Sequence, residues 1–358
     1  MTVAAPPTFV PETGPAVWLG SRLDLRTQGT HRLRPEQIAE IDAALERLRA
    51  LGERDFPEIT PETFPLPVLG RALARLQDVL RRGRGFLLMR GLPVERYSPD
   101  DLARIHYGLG VHVGCAIPQS HHGELLGHVM NVSDVEPGAR GYHTGRALGF
   151  HTDNCDIVSL MCLRTGEGGR SRIASAAALH NGILHHRPEL LARLYEGITC
   201  RRQALDAEHG SGIAVRQVAT FSRASGELSC YLNFGYVRSA LKVDPLAVTA
   251  AQGEALEILR RGLRTPGLAL EMDFVPGDIQ FLNNRRILHS RSAYAEPSDV
   301  DARRHLLRLW LTIPSWPPLP ANQGMHDASD HSAWRLRRTP LMELPSRYVA
   351  DVRRRKAA

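Results

Sequence analysis

The chain has 358 residues, 43% hydrophobic and 23% charged, with a formal net charge of +7 and a pI near 9.4. That is ample apolar material for a soluble core, and no apolar run approaches the ~18–20 residues of a membrane span. The basic residues are dispersed apart from Arg81-Arg82-Gly83-Arg84 and Arg353-Arg354-Arg355-Lys356, and no nucleic-acid motif accompanies them, so neither nucleic acid nor membrane is an expected partner.

Five scattered cysteines form no C-x-x-C pair, which argues against a disulfide framework and against a zinc ribbon. Met1–Pro7 lacks the basic and then apolar regions of a signal peptide and reads as a short disordered lead-in. A cytoplasmic location is expected, with a small molecule as partner and a homo-oligomer allowed.

In chain order, Ile38, Ile41, Leu45, Leu48 and Leu51 recur every three or four positions behind Pro35 and predict a helix over 35–51. A proline-rich loop follows, then a second helical pattern from Leu69 to Leu80. Gly83 and Gly85 break it, and Phe86–Met89 is a short buried-strand candidate. Ser98-Pro99-Asp100-Asp101 has an N-cap serine, a first-turn proline and an acid three residues on, so a helix carrying Leu102, Ile105 and Leu109 inward should start there.

From about residue 111 the pattern becomes short β-branched or aromatic segments between glycine-rich turns. The predicted strands are Val111–Val113, His128–Val132, Ile157–Leu163, Arg172–Ser175, Val215–Phe221, Leu228–Tyr236, Leu268–Phe274, Ile279–Leu282 and Leu306–Thr312. Helices interrupt them between Ala177 and Leu194 and at Ala251–Arg261, and one more is expected near Pro345–Val352. No linker divides the chain. It reads as one mainly β domain with flanking helices: a mostly helical layer over 1–110, a β core over 111–315 and an extension over 316–358.

Leu148-Gly149-Phe150-His151-Thr152-Asp153-Asn154 carries the chemistry. On a strand, His151 and Asp153 would share a face, and two histidines with one carboxylate make the open iron site of non-haem oxygenases. The triplet alone is no evidence, because this composition yields about as many His-x-acid triplets by chance as the sequence holds, the other being His122-Gly123-Glu124. Cys155 could share the face of Asp153, but a small buried thiol is the simpler reading. A third ligand is offered by His289, after a turn at Asn283-Asn284 and at the end of a second short strand. Asn284 reads as a turn former rather than as a group near the metal.

Together, the His-x-Asp stretch, Gly168-Gly169-Arg170-Ser171, Asn283-Asn284-Arg285-Arg286-Ile287-Leu288-His289 and Arg303-Arg304-His305-Leu306-Leu307-Arg308 resemble the TauD/TfdA (taurine dioxygenase-like) family of Fe(II)/2-oxoglutarate-dependent oxygenases. The resemblance spans roughly residues 80–315. It implies a double-stranded β-helix (jelly roll, cupin-like) core, with Fe(II) as cofactor and 2-oxoglutarate and O2 as cosubstrates. His151, Asp153 and His289 match the metal ligands. Arg304 matches the arginine that grips 2-oxoglutarate, as a planar fork suited to a carboxylate, and strand alternation favours it over Arg303. Ser171 stands where the family usually has threonine on the same carboxylate. Arg308 matches a contact to substrate or cosubstrate, and Gln119, His122 and Asn131 are further substrate candidates. Tyr142–Arg146 is expected to line the pocket or cover it.

The implied reaction is oxidation, chiefly hydroxylation, of an unactivated C–H bond in a small anionic or amino-acid-like molecule, with release of succinate and CO2. Asp153 argues for hydroxylation, since halogenating relatives lack this carboxylate; desaturation and ring formation are variants. A zinc hydrolase and a non-catalytic cupin-like binding protein are the competing classes.

Overall fold

The computed structural model describes residues 9–357, so the lead-in Met1–Pro7 lies outside the described residues. Helix outweighs strand, about 38% to 21%, but the strands hold the centre. The larger of two principal sheets runs in the order Thr30–Arg32, Phe86–Arg90, Ile279–Asn283, Ile157–Arg164, His305–Thr312 and Cys115–Ala116, with Leu126–Val129 also paired to His305–Thr312. The smaller runs Leu270–Met272, Ser171–Ser175, Ile287–Arg291 and Leu148–His151. Ile173, Met272 and Ile287 of the small sheet pack with Phe86 and Leu282 of the large one, closing a jelly-roll core between them.

Helices Pro35–Ala50, Leu69–Arg82 and Pro99–Val111 bury the apolar faces their periodicity predicts. Leu45, Leu73 and Leu109 join Met161, Phe281 and Leu307 of the large sheet in one cluster. The Ser98 hydroxyl accepts a bond from Asp101 N at 3.1 Å, and the Asp101 carboxylate accepts from Ser98 N, completing the cap.

Three predicted strands sit elsewhere. Val111 ends the capped helix, and pairing begins only at Cys115–Ala116. The strand predicted at His128–Val132 is Leu126–Val129. The strand predicted at Leu228–Tyr236 stops at Cys230, because the Asn233 carboxamide accepts from Gly235 N and Tyr236 N and starts the helix Phe234–Val243. That helix belongs to a long excursion over residues 176–269, between two neighbouring strands of the small sheet, which also holds helices Ala176–His186, Pro188–Tyr195 and Ala250–Leu263. Among the described residues, no helix is long and apolar enough to cross a membrane.

The segment after residue 313 is pinned by a fully buried ion pair. Arg202 donates Nη1 to Asp330 Oδ2 at 2.8 Å and Nη2 to Oδ1 at 3.0 Å, and both side chains are wholly enclosed. Removing one partner strands the other charge. Asp330→Ala is therefore expected to cost about 3–5 kcal/mol, while Arg202→Met/Asp330→Leu recovers most of it. Urea unfolding checks this, and a double variant no more stable than the single one would count against it.

Candidate active site

His151 is the last residue of the strand Leu148–His151, and His289 lies directly opposite it on Ile287–Arg291. Their rings stand 4.2 Å apart between centroids. Asp153 lies past the strand end, so strand alternation does not place it as expected. Instead the loop is pinned residue by residue. Thr152 exchanges bonds with Leu232, its amide donating to the Leu232 carbonyl and its hydroxyl accepting from Leu232 N. Asn154 accepts from Met325 N and His326 N. Asp156 accepts from Arg285 and Ile313 N. Asn284, the expected turn former, clamps Asp153 itself: it accepts from Asp153 N at 2.8 Å and donates to the Asp153 carbonyl at 2.7 Å.

The result is a convergent donor set. His151 Nε2 lies 3.8 Å from one Asp153 oxygen and His289 Nε2 lies 3.7 Å from the other. These gaps are too long for hydrogen bonds and suited to a shared cation. Among the described residues, only this trio forms such a cluster of potential ligands. His151 Nδ1 contacts the Gly149 carbonyl at 2.9 Å, a bond it can make only as donor, which leaves Nε2 as the nitrogen available to a metal. Burial pushes His289 down to about 3, keeping its imidazole neutral. Burial by itself would raise the Asp153 carboxyl; Arg308, the two histidines and a bond from Trp310 Nε1 at 2.8 Å together hold it below its ordinary value. Two imidazoles, that of His289 held neutral, and one carboxylate fit a divalent transition metal. Cys155 is buried, with its thiol pushed well up, and plays no ligand part.

Beside the trio, between the sheets, a pocket is lined by His151, Ser171, His289, Arg291, Arg304 and Arg308. Arg303 instead points away into an ion pair with Asp134. A register shift follows at His305/Leu306, so alternation alone does not explain why Arg304 faces inward. Room for it comes from Gly169, at φ +68, where a Cβ would stand 2.7 Å from Arg304 Nε. Arg304 Nη1 and Arg291 Nε and Nη1 are buried without partners, and burial lowers both guanidinium pKa values, Arg291 to about 10. Enclosed cations with unused N–H groups are costly unless an anion joins them, and a dicarboxylate fits.

Arg308 is fixed from all sides. Its Nε donates to Gln119 Oε1 at 2.7 Å, Gln119 Nε2 donates back to the Arg308 carbonyl, and the guanidinium lies over Tyr142 and Trp310. Gln119 thus reaches the site by holding Arg308. The other two loop candidates do not reach it. His122 is exposed with its ring tilted against that of His121, while the Asn131 carboxamide closes a turn on Ser133. Sequence reading passed over Trp310 and Arg291, although each lies two residues along a strand from a candidate, on the same face.

The family described as Taurine catabolism dioxygenase TauD, TfdA family matches residues 39–310. FR-33289 synthase of Streptomyces rubellomurinus is 29% identical over 326 residues, spanning 88% of this chain and 94% of its own length. The taurine hydroxylase-like protein SAT17 of Stachybotrys chartarum is 32% identical over 314 residues, spanning 82% and 77%. Among solved structures, an asparagine oxygenase with Fe(II), 3-hydroxyasparagine and succinate superposes with a TM-score of 0.62 at 16% identity, over 80% of this chain and 94% of that one. The non-haem iron oxygenase OrfP with Fe, succinate and (3S)-hydroxy-L-Arg gives 0.62 at 13%, with the same coverage.

Asn284 touches no ligand atom, so its removal should act through the position of Asp153. Asn284→Ala is expected to weaken Fe(II) or Co(II) binding about 10- to 100-fold without loss of fold. Unchanged metal affinity by calorimetry, with native circular dichroism, would refute the clamp.

Proposed function

The chain belongs to the TauD, TfdA family of dioxygenases, and we propose that it is an Fe(II)- and 2-oxoglutarate-dependent enzyme hydroxylating an unactivated C–H bond of a small anionic, amino-acid-like molecule. The observation that carries this reading is the placement of His151, Asp153 and His289 against a pocket of enclosed, partly unpartnered arginines. A zinc hydrolase would leave that cationic pocket without a task.

His151 and His289 present ring nitrogens and Asp153 a carboxylate oxygen, so three protein ligands would hold the iron and leave its remaining positions open. Held there, iron with 2-oxoglutarate and O2 would supply an oxidant able to take hydrogen from an unactivated carbon, one oxygen atom of O2 passing to succinate as CO2 leaves and the other to the substrate. Arg304 would hold the distal carboxylate of 2-oxoglutarate, and the Ser171 hydroxyl, buried in the same pocket, would donate to it. Arg308 faces both this pocket and the larger cavity on the other side of Asp153. It orients the substrate's nearer anionic group while Gln119 and the rings of Tyr142 and Trp310 stop it from swinging away. Trp310 fixes the Asp153 oxygen that faces Arg308, so the carboxylate cannot turn toward that arginine. All five cysteines are free, which supports a cytoplasmic site of action.

Succinate release should require Fe(II), 2-oxoglutarate and O2 together. Arg304→Gln is expected to raise the KM for 2-oxoglutarate by about two orders of magnitude, whereas Arg303→Gln leaves it unchanged. Equal effects of the two variants would remove the assignment of Arg304. Asp153→Ala should abolish hydroxylation and weaken iron binding, and a fully active Asp153→Ala enzyme would remove Asp153 from the ligand set.

A further inference from the structure

On the substrate side of the metal trio lies a cavity of about 1030 Å³. Seven arginines line it against two carboxylates, Asp153 and Glu271. Part of this charge is already met. Arg140 pairs with Asp206 at 2.6 Å and Arg260 with Glu257 at 3.6 Å, while Arg308 faces Asp153 at 3.6 Å. Glu271 is engaged by Arg170, which is not part of the lining.

Four cations remain. Arg172, Arg201, Arg238 and Arg264 have no carboxylate partner among the described residues, and each comes from a different element. Arg264 caps a helix C-terminus, where a cation is favoured in any case. That reasoning does not extend to Arg172, whose Nε is buried without a partner and whose guanidinium lies over Phe150, the neighbour of His151. Nor does it extend to Arg201, at the end of a strand, or to Arg238, in mid-helix. Helices and strands that share no sequence pattern thus bring unneutralised guanidinium groups to one cavity. Arg238 and Arg264 are exposed, so water meets their charge until an anion enters, and a single carboxylate would engage only part of the set. A tetrahedral dianion offers several acceptor oxygens to forks arriving from different directions.

We propose that the substrate carries a phosphoryl-type dianion, a phosphate ester or a phosphonate, seated against Arg172, Arg201, Arg238 and Arg264, with the oxidised carbon lying toward the metal. This deepens the oxygenase reading and rests on it for the carbon that is oxidised. The dianion site itself is tested without turnover.

The test is calorimetric binding at fixed ionic strength to the full chain loaded anaerobically with Fe(II) and 2-oxoglutarate. The probes are glycerol 3-phosphate, 3-hydroxypropylphosphonate and, as a monoanion of similar size, glycerate. At least one phosphoryl probe should bind about tenfold or more tighter than glycerate, and which of the two does so tells ester from phosphonate. Arg238→Gln/Arg264→Gln should weaken that probe about tenfold and leave 2-oxoglutarate binding unchanged. Glycerate binding as tightly as both phosphoryl probes, or a double variant that binds them like the parent, would overturn the proposal. If the parent protein fails to bind 2-oxoglutarate, it is the oxygenase reading that falls, and the same probes measured against the metal-loaded protein alone still decide the dianion site.

Discussion

Asp153 is a carboxylate buried almost completely, and the rest of the site is arranged around keeping it charged. Two unit charges about 4 Å apart attract by about 4 kcal/mol at an effective dielectric of about 20, enough to offset much of the burial penalty. Arg308 supplies that charge at 3.6 Å and Trp310 supplies a hydrogen bond. Arg308 must then be prevented from collapsing into a closed ion pair, which would take the carboxylate away from the histidines. Gln119 does this by holding Arg308 at two points, and Gly127 leaves room for it, since a Cβ there would lie 2.5 Å from Gln119 Oε1. One buried charge thus accounts for residues on three other segments.

A second consequence is the division of labour along residues 151–156. His151 and Asp153 turn toward the metal, while Thr152, Asn154 and Asp156 turn outward and tie the loop to Leu232, His326 and Arg285. The period of two survives beyond the last ladder bond because each outward side chain finds its own anchor. This is why the His-x-Asp spacing was legible although the strand ends at His151. Arg304 follows the same logic: its inward placement depends on the register shift and on the space at Gly169, and only the second leaves a mark in the sequence.

Much of the scaffold was readable for ordinary reasons. Helices with a capped start and a clear apolar stripe, such as Pro35–Ala50 and Pro99–Val111, carry their own evidence, and so do buried strands such as Ile157–Arg164 and His305–Thr312. The misreadings fall where β-branched or aromatic residues lie beside a cap. Val111–Val113 looks like strand but closes a helix already in progress, and Tyr231–Tyr236 looks like strand until the Asn233 cap is noticed. His122 and Asn131 share a loop region with Gln119, and loop membership does not say which side chains turn inward.

The metal trio and the substrate wall therefore rest on different kinds of structure. His151 and His289 are paired across a ladder, so neither can shift without breaking backbone bonds that hold the sheet. The arginines of the larger cavity come mainly from the excursion over residues 176–269, at helix faces and strand ends. Replacing one of those side chains changes what the cavity attracts and leaves the ladder untouched. Chemistry fixed by strands and a cavity wall carried by an inserted helical segment can vary independently, so on the proposed reading the substrate is selected by Arg201, Arg238 and Arg264 rather than by the residues of the metal trio.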